Sequence, residues 1–280
     1  MFATGSENLG PHQWRLLARR IEELTADSDV DGVVVTHGTD TIEEAAFFLE
    51  LVCKSGKPVV LTGAMRPSTA LSADGPANLF QAVLAATSPQ LQSHGLLVVM
   101  NGLVIPGWQI IKTDSVALDS FHAYPGGPIG KIVGESLLVF GSPDLSPLVG
   151  RFHDHLRNDD ELPFVDIVLL RGGCGDQPLA DFGGNACKGL VVAGFGSGTM
   201  PDNLTGLVAE TASSGCTVVV SSRVSRVTVL AETMTSVNSK NVFPSGFLNP
   251  QKSALLLSLA LDANLDALEL AELFNVFVIQ

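Results

Sequence analysis

The order of apolar and polar residues divides the first half of the chain into alternating helices and strands. From Trp14 to Leu24, apolar residues recur at three- and four-residue spacing among Arg and Glu, which predicts an amphipathic helix. The segment Val30 to Val35 ends in three consecutive valines, a pattern typical of a strand that is buried on both faces of a parallel sheet. Further predicted elements are a strand at Val59 to Thr62, a helix at Pro76 to Ala86 with Asp74 as its expected cap, and a strand at Leu96 to Met100. This alternation favours a mostly parallel sheet with helices on both faces.

A polar stretch separates this region from a second group of strands and helices. Residues 141–162 are rich in Ser, Pro, Asp, His and Asn, and we predict that they link a domain at 1–140 to a domain at 163–280. Predicted elements of the second domain are strands at Val165 to Leu170, Leu190 to Phe195 and Thr217 to Val220, and helices at Asn203 to Ser214, from Pro250 onward and at Leu265 to Phe274. Asn249 is expected to cap the helix that Pro250 begins. The chain is therefore predicted to have an α/β fold of two domains, of which the C-terminal one is the smaller.

The composition is that of a globular α/β protein and narrows the choice of partners. Of 280 residues, 46% are hydrophobic, and 16 basic residues against 29 acidic ones give a formal net charge of -13. This excess of negative charge argues against nucleic acid and anionic membrane as partners. No apolar run approaches the roughly 20 residues of a membrane helix, and the first residues, MFATGSENLG, lack the basic and apolar regions of a secretory signal. The chain as given is therefore predicted to be cytoplasmic.

The cysteines and histidines show no spacing typical of a metal site. The four cysteines are Cys53, Cys174, Cys187 and Cys216. They form no CxxC pair and are expected to be buried free thiols. His153 and His155 lie in the predicted linker, and the chain contains no HExxH-like pair. We therefore predict no metal site.

The candidate chemistry is concentrated in one strand-to-helix turn. Residues Gly32 to Glu44 have the sequence GVVVTHGTDTIEE, in which a valine strand precedes a Thr-His-Gly-Thr-Asp turn and the start of a helix. Open α/β sheets bind ligands at the carboxyl ends of their strands, so we expect this turn to present Thr39 and Asp40 at a site. His37 is expected to pack and hydrogen-bond within the turn rather than act as a base. On this segment alone, a plain helix-capping turn with Asp40 or Thr41 as the cap stays an alternative.

Two long motifs carry a resemblance to a known family. THGTDTIEE at Thr36 to Glu44 and KPVVLTGAMRPSTALSADGPANLFQAV at Lys57 to Val83 resemble the bacterial-type L-asparaginase and glutaminase-asparaginase family. Lys112, the Ser221 to Arg223 run and the Gly246 to Gln251 run agree with it, so the resemblance covers nearly the whole chain. It implies hydrolysis of the side-chain amide of L-asparagine through a threonine acyl-enzyme, without a metal or organic cofactor. It also implies a homotetramer with sites between subunits.

The resemblance assigns roles to individual residues. It makes a catalytic group of Thr39, Asp40 and Lys112, in which the lysine relays the proton of the threonine hydroxyl. Asp40 would also bind the α-ammonium group of the substrate. Ser6 and Glu7 match the segment that binds the substrate's α-carboxylate, and Glu at the second of these positions is the form associated with glutamine as an additional substrate.

Other positions have a supporting role or a simpler interpretation. Ala64 matches a backbone contact to the substrate, and Arg66 is expected to brace the same loop through an ion pair. Without the resemblance, Lys112 would be interpreted as an exposed lysine at a strand end and Thr39 as a turn hydroxyl bonded to local backbone. Ser6 would be interpreted as part of a frayed terminus.

The chain departs from the family pattern near its start. The family's primary nucleophile lies in a strand-turn of the form ATGGTI, followed by a mobile loop with a tyrosine, and the string nearest to it here is Ala3-Thr4-Gly5-Ser6. The glutamate that the family supplies from a neighbouring subunit falls nearest Met234, with Glu232 two residues away. Two hypotheses stay open: an asparaginase in which Thr39, Asp40 and Lys112 form the surviving half of the site, or a catalytically impaired or inactive relative that binds an amino acid because the ATGGTI segment is absent.

Overall fold

The computed structural model of the protein describes residues 2–92, 94–141, 148–174, 188–234, 237 and 239–278. The chain divides into two units, Met1–Asp159 and Asp160–Gln280. The strands of the first unit are β1 (Val33–Thr36), β2 (Val59–Thr62), β3 (Leu96–Met100), β4 (Leu103–Pro106), β5 (Ile110–Lys112), β6 (Phe121–Ala123), β7 (Gly130–Val133) and β8 (Ser136–Val139). Its helices are α1 (Pro11–Thr25), α2 (Ile42–Val52) and α3 (Gly75–Ala86).

Six of these strands form one sheet in the order β1-β2-β3-β4-β7-β8. The first three strands pair in parallel. The sheet then continues through antiparallel pairings of β3 with β4, β4 with β7 and β7 with β8. The carboxyl ends of β1 and β2 therefore meet at one edge of the sheet, where open α/β sheets bind ligands.

Strands β2 and β3 are buried because both of their faces are covered. Every residue of β2 and β3 is buried. Val60, Leu97 and Val99 belong to one apolar cluster with Ala82 and Ala85 of α3. Helix α2 is buried at every residue from Ala45 to Val52. The apolar runs of β2 and β3 thus form the interior of the first unit. Strand β1 stands at the edge of the sheet and only its Val33 is buried, so the prediction that its valine run is buried on both faces is wrong.

Strands β5 and β6 form a separate antiparallel pair, with Lys112 opposite Phe121. The pair is closed by a loop in which Asp114 Oδ1 accepts from the backbone N–H groups of Val116 and Ala117. Lys112 is the last residue of β5. The position of this hairpin therefore determines where the Lys112 side chain begins.

Part of the predicted linker, 141–162, packs inside the first unit. Its buried apolar side chains are Leu148, Phe152 and Leu156. His155 is also buried, and its Nε2 lies 2.6 Å from Arg15 Nη2. Residues 142–147 lie outside the described residues. We therefore propose a shorter linker near Asp159, where the two units divide.

The second unit contains a four-stranded parallel sheet in the order β12-β11-β10-β9 among the described residues. These strands are β9 (Val165–Leu169), β10 (Gly189–Gly194), β11 (Thr217–Ser222) and β12 (Val242–Pro244). The helices are α4 (Asp202–Ser213), α5 (Pro250–Asp262) and α6 (Ala267–Asn275). Leu190 and Val218 share an apolar cluster with Leu204 and Val208 of α4.

The α/β class and the predicted elements are confirmed, with helix and strand ends close to their expected positions. Asn249 caps α5 as predicted, since its side chain accepts from Lys252 N. Cys53, Cys174 and Cys216 are buried free thiols, as predicted, and Cys187 lies outside the described residues. Within the described ranges, no helix is long and apolar enough to cross a membrane.

Candidate active site

The turn after β1 lies directly against the turn after β2. The two strands pair in register up to Thr36 and Thr62, and His37 N donates to Thr62 O over 2.8 Å. A Cβ on Gly63 would lie 2.5 Å from His37 O, so this close approach requires glycine at position 63. Residues 37–41 and 63–66 therefore lie side by side at the carboxyl edge of the sheet.

Lys112 reaches the turn that carries Thr39 and Asp40. Its Nζ donates to Thr39 Oγ1 over 3.1 Å and to Asp40 Oδ1 over 2.9 Å. The lysine side chain is 18% exposed and the Asp40 side chain 63%, so the ammonium group is largely enclosed while the carboxylate faces solvent. A hydroxyl, an ammonium group and a carboxylate thus form one connected group. The interpretation of Lys112 as an exposed strand-end lysine is wrong, because tertiary contacts enclose it.

A buried carboxylate on α2 holds the backbone beside this group. Glu43, in the first turn of α2, is 7% exposed, and its Oε2 accepts from Lys112 N over 2.6 Å. Lys112 is therefore bound at two points to one short segment: its side chain bonds Thr39 and Asp40, and its backbone bonds Glu43. No sequence pattern indicated this contact, because acidic residues are common in the first turn of any helix.

The segment around Ser6 is fixed to the same turn. Ser6 is 3% exposed, its Oγ accepts from Asp40 N over 3.2 Å, and its carbonyl oxygen accepts from Thr41 Oγ1 over 2.8 Å. A Cβ on Gly38 would lie 2.6 Å from Ser6 Oγ, so the contact requires glycine at position 38. Ser6 is therefore not frayed. Thr41 stands at the N-cap position of α2 but uses its hydroxyl for Ser6 rather than for the helix.

Glu7 and Ala64 lie at the margin of the site. Glu7 is exposed, and its Oε1 accepts from Asn8 Nδ2 over 3.3 Å. Ala64 is exposed and follows Gly63, where a Cβ would lie 3.4 Å from Thr39 Cγ2. The structure therefore brings four of the six predicted site residues into direct contact, and it leaves Glu7 and Ala64 beside them. The four are Ser6, Thr39, Asp40 and Lys112.

Asp74 and Asn78 fix the turn after β2. The Asp74 carboxylate accepts from Met65 N and Arg66 N, each over 2.9 Å, and it makes no capping bond to α3. Asn78 Nδ2 donates to Gly63 O and to Asp74 Oδ2, each over 3.0 Å. Burial by itself would raise the pKa of Asp74, but these donors hold it below its ordinary value of 3.8. The predicted capping role of Asp74 is therefore wrong, because its carboxylate is used by the neighbouring turn.

Arg66 and His37 support the two turns through backbone carbonyls. Arg66 Nη1 donates to Ser72 O over 3.0 Å. In the described part of the chain Arg66 forms no ion pair, so the predicted ion pair is wrong. His37 is 8% exposed and its Nδ1 donates to Gly38 O over 2.7 Å. Burial lowers the pKa of His37, and the bond to Gly38 opposes this change. The predicted packing role of His37 is confirmed.

The motif residues of the second unit are explained by contacts within that unit. Ser221 Oγ and Ser222 Oγ each donate to a backbone carbonyl. The Arg223 guanidinium group lies 4.5 Å from the centre of the Phe195 ring. Glu232 is exposed on a short 3-10 helix.

Comparisons with known proteins agree with one another over both units. The family model described as "Asparaginase, N-terminal" matches residues 1–144, and the model described as "Glutaminase/Asparaginase C-terminal domain" matches residues 164–274. L-asparaginase 2 of Bacillus subtilis is 38% identical over 274 residues, which cover 98% of this chain and 72% of the relative. L-asparaginase 2 of Escherichia coli is 36% identical over 278 residues, which cover 98% and 78%. The crystal structure of a probable cytoplasmic L-asparaginase from Campylobacter jejuni is similar with a TM-score of 0.86 and 36% identity, covering 97% of this chain and 83% of that one.

Proposed function

The chain belongs to the asparaginase family, and from this premise we propose that it hydrolyses the side-chain amide of L-asparagine to L-aspartate and ammonia. The observation that carries the proposal is the position of the Lys112 ammonium group, which bonds both the Thr39 hydroxyl and the Asp40 carboxylate. Cleavage of an amide by covalent catalysis needs a nucleophile with a proton acceptor beside it. The Thr39 hydroxyl and the Lys112 amine supply this pair.

We assign the attack on the amide carbonyl to Thr39 Oγ1. A threonine hydroxyl is a weak nucleophile until a base takes its proton, and Lys112 Nζ lies 3.1 Å away, within reach for that transfer. The ammonium group donates to the hydroxyl in the resting pair; once it has released one proton to solvent, the neutral amine accepts the hydroxyl proton over the same distance. Attack forms a β-aspartyl ester of Thr39, and the transferred proton leaves with the amide nitrogen as ammonia. Water then hydrolyses the ester to aspartate.

The charged groups of the substrate are assigned to residues of complementary chemistry. Asp40 is exposed enough to bind the α-ammonium group while it still pairs with Lys112. Ser6 Oγ accepts from Asp40 N, which leaves its hydroxyl hydrogen for the α-carboxylate. Glu7 is anionic, so a contact to the α-ammonium group suits it better than one to the α-carboxylate. Ala64 supplies a backbone contact from the neighbouring turn.

Two finer proposals rest on the family resemblance. L-glutamine is proposed as a second substrate because Glu occupies position 7. The chain is proposed to form a homotetramer with sites between subunits.

The function is tested with the purified 280-residue chain and L-asparagine or L-glutamine, by measuring ammonia and identifying the amino-acid product. We expect ammonia and aspartate in equal amounts from asparagine, and no turnover by Thr39→Ala. An equal rate from Thr39→Ala would contradict the assignment of the nucleophile. A folded chain that binds L-aspartate in calorimetry but releases no ammonia would contradict the proposed hydrolysis and favour an amino-acid-binding protein.

A further inference from the structure

We propose that Glu43 is a positioning residue that holds Lys112 against Thr39, an inference that rests on the proposed function of that pair. The Glu43 carboxylate is buried on α2 and accepts from the backbone N–H of Lys112 over 2.6 Å. Thr39, Asp40 and Glu43 lie within five residues of one another in the chain. One short segment therefore binds both the backbone and the side chain of the same lysine.

The bond to Glu43 acts on a hairpin that lies outside the six-stranded sheet. Strands β5 and β6 pair with each other and, among the described residues, with no strand of the six-stranded sheet. Lys112 is the last residue of β5 and is followed by the 113–120 loop. A lysine side chain is long and flexible, so the place of its amine depends on where its backbone is held. The bond from Lys112 N to Glu43 fixes the backbone at the point where the side chain leaves it.

The chain contains a matched control on the same helix. Glu50 is 3% exposed, and its Oε2 accepts from Leu96 N, at the start of β3, over 2.9 Å. Glu43 and Glu50 are thus both buried α2 carboxylates that accept from a backbone N–H of a neighbouring strand. Their loss should reduce stability in the same way, but the loss of Glu43 alone should displace Lys112.

The kinetic experiment compares Glu43→Ala with Glu50→Ala in the full chain. We expect Glu43→Ala to lower kcat for asparagine roughly 10- to 100-fold, because small displacements of a catalytic group have effects of this size. KM should change little, since Glu43 lies next to Lys112 N and is not assigned to the substrate. Glu43→Gln keeps an oxygen that accepts from Lys112 N and should restore most of kcat. Glu50→Ala should lower the melting temperature by about as much as Glu43→Ala does, and it should leave kcat near the wild-type value.

A second measurement does not depend on turnover. The rate at which acetic anhydride modifies Lys112 is followed by peptide mass spectrometry, because an amine bonded to Thr39 and Asp40 reacts more slowly than a released one. We expect faster modification of Lys112 in Glu43→Ala than in the wild type or Glu50→Ala. If Glu43→Ala does not fold, Glu43→Asp replaces it, since a carboxylate one methylene shorter withdraws from Lys112 N.

The two measurements separate this inference from the proposed function. Suppose that the wild type releases no ammonia and that Lys112 is modified faster in Glu43→Ala than in the wild type. This result would contradict the proposed function and support the positioning role. An active wild type, with unchanged kcat and unchanged Lys112 modification in the Glu43 variants, would overturn the positioning role. Equal losses of kcat in Glu43→Ala and Glu50→Ala would also overturn it, because the effect would then follow stability alone.

Discussion

His37 lies in the turn that carries Thr39, and its environment makes the stability of the protein depend on pH. Its ring is 8% exposed, and its Nδ1 donates to Gly38 O. Burial lowers the pKa of His37 below its ordinary value of 6.5. As pH falls through about 6.5, the unfolded chain therefore binds a proton that the folded chain does not take up. The contribution of this neutral ring to stability is complete above that pH and is lost as the pH decreases toward the folded-state pKa.

The variant His37→Asn tests this origin of the pH dependence. The Asn side chain places an N–H donor near the position of Nδ1 and does not titrate. We expect its free energy of unfolding to fall less steeply than that of the wild type as the pH decreases below about 6.5, measured by urea denaturation. His94, whose pKa is also lowered by burial, is present in both proteins and cancels in the comparison. Parallel pH curves would show that His37 is not responsible.

At the residue scale, the sequence indicated the reacting groups but not the residues that hold them. Thr39 and Asp40 lie inside a long motif, and Lys112 was identified through the family resemblance. Glu43 lies in the same motif, but its partner is a backbone N–H 69 residues further along the chain. Every residue except proline has such an N–H, so no residue type at position 112 could have indicated the contact.

At the element scale, the start of α5 depends on one side-chain cap. Asn249 Oδ1 accepts from Lys252 N over 3.0 Å, and Pro250 occupies the first helical position. We expect Asn249→Ala to reduce the free energy of unfolding by about 1 kcal/mol, because the buried backbone N–H of Lys252 loses its partner. Asn249→Asp retains an acceptor and should be close to the wild type. The measurement is urea denaturation followed by circular dichroism, and equal midpoints for Asn249→Ala and the wild type would contradict the assigned cap.

The elements that the sequence predicted are those with one strong periodic pattern. Strands β2 and β3 are continuous apolar runs because both of their faces are buried. The strands from β4 to β8 were not predicted. They are three or four residues long, and several lie next to glycine or proline, so they show too few residues for a period to be recognised. The hairpin carrying Lys112 lies in this region, which is why its backbone contact to Glu43 could not be foreseen.

At the scale of the whole molecule, the exposed face of α3 is consistent with the proposed self-association. Leu79, Phe80 and Val83 are 44%, 47% and 45% exposed, and their spacing places them together on one face of the helix. We expect light scattering after size-exclusion chromatography to give a mass of about four times the 29.3 kDa of one chain. A mass of one chain at micromolar concentration would contradict the proposed homotetramer.

The two-unit organisation was predictable because the composition changes between two groups of alternating strands and helices. The length of the linker between the two units was less predictable. Polar residues between 148 and 159 suggested a linker, but apolar side chains among them, including Phe152, pack into the first unit. Single apolar residues, spaced every few positions in a short polar stretch, do not form a pattern long enough to identify a packed segment.

The proposed reaction depends most directly on the chemical role of Lys112. The decisive measurement is kcat for ammonia release from L-asparagine by the wild type and by Lys112→Met, which keeps a long side chain and removes the amine. We expect kcat to fall by about 10²- to 10⁴-fold, the usual contribution of a general base, with Lys112→Arg equally impaired because a guanidinium group does not give up its proton. A folded Lys112→Met variant with the kcat of the wild type would contradict the assignment of the Thr39–Lys112–Asp40 group as the catalytic centre.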